Sequence, residues 1–458
     1  MVDHRIKDLS GNSRRTFLKF ASAVGAGLAV SQTELLNYIA DVGGHAMADE
    51  CIGRNRMVSL IAGDGGFAWF QLLWPHNGVA KSNNNNAAFH ALGKAVDAPD
   101  TDKPQVWAPE TPWQSLGKNR RMTAMMAGTN QTHTPTPSSP VDVGGGINVL
   151  AAAAAMHQSL PSLLPVIGVR PFDFGNAPGA PQVTTVGNPE DMVGLFDSAA
   201  SKAILAAHSD AANYEAYYKA FLGLNKVASR ATYQRQMRIT KASANFLGKN
   251  LASLLRPRDE DLVRYGINGG TPNKLTNIAY TLLTAVNAFK MGLTNGIIMP
   301  CLRDDPHGAF ADMQNLQMTV GTLGRIFDEF MKDLESFKDP VCSTKTLADT
   351  TVMTIHGDTP KDPNDRSGWP DGTPGNSNWV YVYGAGHLKT GWFGGIGANG
   401  GVSGFDPKTG ENVPGMTSAQ TTNAANAAIL YAVTQGDKVA IQQFTAQSIG
   451  GIINEKLQ

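Results

Sequence analysis

The chain has 458 residues, in which 38 Lys and Arg balance 38 Asp and Glu, so its formal net charge is zero. Hydrophobic residues make up 42% and charged residues 17%, which allows a sizeable core and excludes a disordered chain, a collagen and a coiled coil. A neutral balance also argues against a protein that binds nucleic acid. The chemistry of the protein therefore has to come from particular residues rather than from composition.

The first 48 residues are typical of an export signal. Residues 13–19 read Ser-Arg-Arg-Thr-Phe-Leu-Lys, which resembles the complete twin-arginine signal. The apolar stretch Phe20–Val30 is too short to span a bilayer and suits the core of a signal peptide. A candidate cleavage site, Ala46–Ala48, comes later. We therefore expect export by the twin-arginine translocation machinery, a periplasmic or extracellular protein, and no stable membrane span after cleavage.

The sequence contains three cysteines, Cys51, Cys301 and Cys342, and leaves two alternatives open. One disulfide, of which Cys301–Cys342 is an example, suits an oxidising compartment and leaves one thiol over. Three thiols fit the sequence equally well. The spacing contains no C-x-x-C motif, which argues against a zinc ribbon and against a thioredoxin-like site.

Short apolar runs alternate with helical patterns along residues 49–458. Strands are predicted at 57–62, 122–127, 164–169, 297–302, 350–355 and 379–383. Helices are predicted at 147–157, from 188 to about 255, at 273–293, at 311–337 and from a capping box at Thr417 to about 436. This alternation predicts an α/β fold with a central, mostly parallel sheet flanked by helices. We expect a single domain with a helical insertion at about 188–295.

Potential ligands and nucleophiles follow five of the predicted strands. In chain order they are Asp64, Thr132 with His133, Asp305 with His307, His356 and His387. Because the carboxyl ends of the strands line one crevice in an open α/β sheet, we expect these side chains to converge. Carboxylate and imidazole groups together suit a divalent metal such as zinc. A threonine hydroxyl beside such an ion is a suitable nucleophile for an ester.

The order of these motifs resembles the domain of unknown function 1501 family, exported proteins placed in the alkaline phosphatase/sulfatase superfamily. The turn Gly63–Gly65 is similar to the family's Gly-Gly-x-Asp-Gly turn, and Thr132-His133 is similar to its Ser-His. Asp304–His307 resembles its Trp-Asp-Thr-His, and Thr354–Pro360 resembles its Ser-Glu-Phe-Gly-Arg-Thr-Pro. The similarity runs across nearly the whole chain after the signal.

The resemblance implies an alkaline phosphatase-like fold and a metal-dependent hydrolase that acts on small-molecule phosphate or sulfate esters. On this hypothesis Thr132 is the nucleophile and His133 stands beside it. The candidate metal ligands are Asp64, Asp305, His307, His356 and His387.

Two departures from the family pattern keep a second hypothesis open. Ile355 stands where the family has a carboxylate, and Asp365–Trp369 lacks the histidine of the family's Gly-Arg-Asp-His-Trp motif. Asp358, Asp365 and His387 are the candidates to replace it. The alternative is a degenerate member, an exported binding or structural protein that keeps the fold and has lost catalysis.

Overall fold

A computed structural model describes the protein over a series of stretches. They are residues 53–62, 73–74, 96–97, 106–107, 122–127, 142–157, 162–169, 174–197, 251–302, 312–357, 378–396 and 402–454. The chain divides into two compact units. The first comprises residues 1–50, 161–163 and 190–256, and the second comprises 51–160, 164–189 and 257–458. Of the predicted helical insertion, the first unit takes 190–256 and the second takes 257–295.

The strands belong to one large sheet and two small ones. In chain order they are β1 (Arg56–Ile61), β2 (Leu73–Trp74), β3 (Val96–Asp97), β4 (Val106–Trp107), β5 (Met122–Ala127), β6 (Leu164–Val169), β7 (Thr184–Val186), β8 (Thr294–Pro300), β9 (Thr351–His356), β10 (Asn378–Tyr383), β11 (Gly391–Phe393), β12 (Gly395–Ile396), β13 (Val402–Phe405) and β14 (Asn412–Pro414). The small sheets have the orders β2-β4-β3 and β12-β13-β14.

The large sheet lies in the second unit and has eight strands in the order β11-β5-β10-β9-β1-β8-β6-β7. Every neighbouring pair is parallel except the two pairs that β10 forms, with β5 and with β9. All six residues of β1, β5, β6 and β9 are buried. Continuous apolar runs of this kind are typical of parallel strands that are covered on both faces.

The described helices are α1 (Val149–Met156), α2 (Pro189–Gly194), α3 (Leu251–Leu255), α4 (Asp259–Arg264), α5 (Asn273–Lys290), α6 (Met313–Ser336), α7 (Ser418–Val433) and α8 (Lys438–Ile441). Helices α1 and α7 share one core cluster with Met57, Ile61, Val352 and Val380 of the sheet. Helix α5 packs against β8 and against α6, and neither contributes to that cluster. The predicted α/β class, a mostly parallel central sheet flanked by helices, is confirmed.

Helix α7 runs along the sheet from one edge to the other, in the direction opposite to β1. At its start, the Thr421 hydroxyl donates to the Met126 carbonyl near the end of β5, at 2.8 Å. At its end, the Asn55 side-chain amide donates to the Ala432 carbonyl, also at 2.8 Å, beside the start of β1. The helix begins with the predicted capping box between Thr417 and Gln420. These contacts define a carboxyl edge and an amino edge of the parallel strands.

Strand β10 runs against its neighbours, which the sequence did not predict. Val380 pairs with His356 and Tyr383 with Met353, so the chain leaves β10 at the amino edge of the sheet. An antiparallel neighbour needs only a reversal of the chain, whereas a parallel neighbour needs a crossover connection. The apolar alternation of the strand is the same in both directions, so periodicity predicted the strand and not its sense.

The cysteines do not pair as the example from the sequence had it. Cys342 is disulfide-bonded, whereas Cys301 is a buried thiol, so the Cys301–Cys342 pairing is wrong. Cys301 follows β8 and donates its backbone N–H to the Ile61 carbonyl at the carboxyl edge. Cys342 lies beside Asp339, which pairs with Arg56 at the amino edge. The length of β1, roughly 17 Å, therefore separates the two, and a disulfide tolerates at most ~7 Å between Cα atoms.

Candidate metal centre at the carboxyl edge of the sheet

The strands that precede most of the predicted site residues end at the same edge of the sheet. Ile61, the last residue of β1, pairs with Pro300 at the end of β8 and with His356 at the end of β9. Strand β5 is antiparallel to β10, as β9 is, so β5 and β9 point the same way. Neighbouring strands are ~4.8 Å apart, so the ends of β5, β9, β1 and β8 span roughly 19 Å.

Most of the predicted site residues lie just beyond these strand ends and outside the described residues. They are Asp64 after β1, Thr132 and His133 after β5, and Asp305 and His307 after β8. The structure brings together the strands that carry them, and His356 is the member of the set that it describes at this edge. The convergence of the side chains themselves stays a prediction.

His356 is the described residue at this edge with the chemistry of a metal ligand. Its side chain is 1% exposed, and its Nε2 lies 3.1 Å from the Thr354 hydroxyl oxygen. Its Nδ1 is buried and has no hydrogen-bond partner among the described residues. Burial lowers the pKa of His356 to about 4, so the imidazole is neutral at pH 7. A neutral imidazole with one nitrogen lone pair available is the form that binds a metal ion.

Two hydroxyl residues beside His356 were missed in the sequence. The Thr354 hydroxyl donates to the Ser59 hydroxyl oxygen across the β1–β9 pair, at 2.8 Å. Alternate residues of a strand share a face, so Thr354 lies on the same face as His356, and Ser59 is the cross-strand partner of Thr354. A polar residue two positions before a strand-end histidine was the available signal, and Ser59 needed the strand register as well.

Ile355 does not bring a carboxylate to this edge. Its side chain is 1% exposed and lies on the opposite face of β9 from His356, because successive residues of a strand alternate. The family motif that His356 resembles has a carboxylate at this position. Any acidic partner for His356 therefore has to come from a residue outside β9.

His387 lies at the other edge of the sheet, so its predicted convergence with His356 is wrong. It follows β10, which delivers the chain to the amino edge, and its Nδ1 would be 3.8 Å from a Cβ placed on Gly436. The neighbouring Gln435 donates to the Asn55 side-chain oxygen at the start of β1. Burial, together with the positive charge of Lys345, lowers the pKa of His387 to about 4. A single ion cannot bind both histidines across roughly 17 Å of strand.

Within the described stretches, no three His, Cys, Asp or Glu side chains form a group that could hold a metal ion. A complete centre around His356 therefore requires ligands from the segments that follow β1, β5 and β8, where the sequence has Asp64, His133, Asp305 and His307. The available chemistry at the edge is one neutral imidazole fixed on a rigid strand.

Comparison with protein-family models, with curated proteins and with solved structures found no match to this chain. Across the part of the chain that the structure describes, the helices lack the combination of length and apolarity that crossing a membrane requires. The functional argument accordingly depends on the geometry of the carboxyl edge and on the motifs in the sequence.

Proposed function

We propose that this protein is an exported, metal-dependent hydrolase of phosphate or sulfate esters, with an alkaline phosphatase-like fold related to the domain of unknown function 1501 family. One observation carries the proposal. His356, which the resemblance assigns to a metal pair, ends a strand at the carboxyl edge with a buried, unpartnered Nδ1 among the described residues. Three neighbouring strands that precede the other predicted ligands and the nucleophile end at the same edge.

The roles follow from the residues that share this edge. Asp64, Asp305, His307 and His356 would hold the ion, and Thr132 would attack the ester with His133 beside it. A bound divalent ion would supply charge stabilisation for the phosphoryl or sulfuryl oxygens and lower the pKa of a nearby hydroxyl. The protein contributes the neutral imidazole of His356, which a fully buried strand holds in place. His387 has no role in this centre.

Export through the twin-arginine machinery to the periplasm or the extracellular space is part of the proposal. It rests on residues 13–19, the short apolar stretch that follows them and the small residues at 46–48. The disulfide at Cys342 supports it, because disulfides persist in oxidising compartments and are rare in the bacterial cytosol.

A direct test measures the hydrolysis of p-nitrophenyl phosphate and p-nitrophenyl sulfate by the exported protein, with zinc added and after chelation. We expect turnover that chelation removes and that Asp305→Asn and His356→Gln each lower by at least about 10²-fold. His387→Gln is the matched control, since it removes a buried histidine from the opposite edge and should keep full activity. Equal losses in His356→Gln and His387→Gln would contradict the assignment of the site.

A second candidate is a degenerate protein that keeps the fold and serves as an exported binding or structural component. Ile355 favours it, because an apolar side chain occupies the position of a family carboxylate and points away from His356. If the correctly folded protein neither binds zinc nor hydrolyses either ester, this second candidate replaces the first.

A further inference from the structure

Ser59, Thr354 and His356 form a continuous polar row on one face of the sheet. Ser59 and Thr354 are cross-strand partners in the parallel β1–β9 pair, and His356 lies two residues beyond Thr354 on the same face. The Thr354 hydroxyl lies 2.8 Å from the Ser59 hydroxyl and 3.1 Å from Nε2 of His356. All three residues are at most 1% exposed.

The row is enclosed by apolar side chains on the neighbouring strands. Ile298 of β8 and Val382 of β10 flank the Ser59–Thr354 pair. Ile61 and Val380 flank His356 in the same way. A hydroxyl or imidazole placed among such neighbours is costly unless it is hydrogen-bonded, so the three polar groups depend on one another.

The hydroxyl of Thr354 has one hydrogen, and the geometry assigns that hydrogen to the Ser59 oxygen. The Thr354 oxygen is then an acceptor, so Nε2 of His356 must be the nitrogen that carries the proton. Nδ1 is left with a lone pair, and no described residue donates to it. In metal sites, ligating histidines are commonly held in this way, with the nitrogen that does not bind the metal donating to a neighbouring acceptor.

We propose that Thr354, oriented by Ser59, is a positioning residue that fixes His356 as the Nε2–H tautomer and keeps Nδ1 as the lone pair available to a divalent cation. The tautomer is a property of the described residues alone. Its consequence for cation binding rests on the proposed metal centre. The two parts are therefore tested by separate measurements.

The tautomer is tested by nitrogen NMR of the metal-free mature chain labelled with ¹⁵N-histidine, with His356→Gln used to assign the signal. We expect Nε2 protonated and Nδ1 bare in the wild type and in Thr354→Ser, which retains the hydroxyl. Ser59→Ala removes the acceptor of the Thr354 hydrogen, so that hydrogen should turn to His356 Nε2 and move the ring proton to Nδ1. A wild-type ring protonated on Nδ1, or a Ser59→Ala ring identical to the wild type, would overturn the proposal.

The consequence is tested by calorimetric titration of zinc into the same proteins. Loss of a hydrogen-bond partner behind a metal ligand typically weakens affinity by about 10–100-fold, and we expect this loss for Ser59→Ala and Thr354→Val. Thr354→Ser should bind as the wild type does. Equal affinities in all four proteins would refute the positioning role. A wild type that binds no zinc but shows the Nε2–H tautomer would refute the proposed function and leave the tautomer assignment standing.

Discussion

The two edges of the sheet each contain a fully buried histidine, and the two differ in their surroundings. His157, at the amino edge, lies with Nε2 2.5 Å from the Asn55 backbone carbonyl, and burial lowers its pKa to about 4. His356, at the carboxyl edge, has the same lowered pKa, but its Nε2 faces the Thr354 hydroxyl. In both residues Nδ1 has no partner among the described residues. An unpartnered ring nitrogen by itself therefore does not distinguish a metal site.

Electric charge distinguishes the two histidines. Besides burial, the positive charges of Arg56 and Arg54 depress the pKa of His157, and the same charges would repel a divalent cation. Burial alone accounts for the lowered pKa of His356. The amino edge is also closed by structural contacts, since Asn55 binds both α7 and the Gln435 side chain. We conclude that the amino edge stabilises the fold, whereas the carboxyl edge is the one suited to chemistry.

The largest expected effect at the amino edge comes from breaking the buried Arg56–Asp339 ion pair. Both side chains are at most 3% exposed, and Asp339 also accepts hydrogen bonds from Thr350 and from the backbone of Cys342. Asp339→Ala leaves a buried guanidinium without its partner and should lower the free energy of unfolding by about 3–5 kcal/mol in urea titration. Asp437→Ala, which removes the more exposed Arg54–Asp437 pair, is the control and should cost under about 1 kcal/mol. Similar losses in both variants would contradict the assignment.

His157 should make stability depend on pH. Burial, opposed by the Asn55 hydrogen bond and assisted by Arg56 and Arg54, lowers its pKa from 6.5 to about 4 in the folded chain. Between these values the unfolded chain binds more protons, so the stabilisation is complete above pH 6.5 and is lost as the pH falls towards 4. The loss amounts to about 3 kcal/mol. Urea titrations across this range should show a shallower pH dependence for His157→Gln; an unchanged dependence would place the titration elsewhere.

The disulfide at Cys342 should be the next largest contribution to the amino edge. With Cys301 a thiol, Cys51 is the cysteine that the sequence leaves to pair with Cys342. Peptide mapping without reduction should yield a linked Cys51–Cys342 fragment, and Cys342→Ser should lower the free energy of unfolding by about 2–4 kcal/mol. Cys301→Ser is the control for loss of a cysteine outside the disulfide. A linked fragment that contains Cys301 would refute the assignment.

The smallest effect is expected where α7 begins, near the carboxyl edge. The Gln420 side chain accepts from the Thr417 backbone N–H at 2.8 Å, which completes the capping box. Thr417→Ala should lower the free energy of unfolding by about 1 kcal/mol. Val439→Ser, at a position 75% exposed near the amino edge, should change it by less than about 0.5 kcal/mol. Thermal unfolding that ranks these two variants in the opposite order would contradict the capping role.

The sequence predicted the local features of this fold well, because they depend on local patterns. The six-residue apolar run at β1 and the capping box at Thr417 both appear where they were expected. The direction of β10 could not be predicted, since alternation along a strand is the same both ways. The error placed His387 at the wrong edge. A choice between the two edges requires strand pairing, which is long-range information.

The candidate site was predicted in part for the same reason. His356 was found because a strand-end histidine is visible in one local motif. Ser59 is 295 residues away from its partner Thr354 and has no local mark of its own. Its role appears only when β1 and β9 are aligned. Similarly, the cysteine pairing depended on which edge each cysteine occupies, and spacing along the chain carries no such information.

X-ray diffraction at the zinc absorption edge, on crystals of the mature protein grown with zinc, tests the central claim most directly. The account predicts an anomalous peak at about 2.0–2.1 Å from Nδ1 of His356, the usual zinc–imidazole distance. It predicts no such peak beside His157 or His387. Zinc-loaded crystals without an ion at His356, or with the ion at either of the other two histidines, would contradict it.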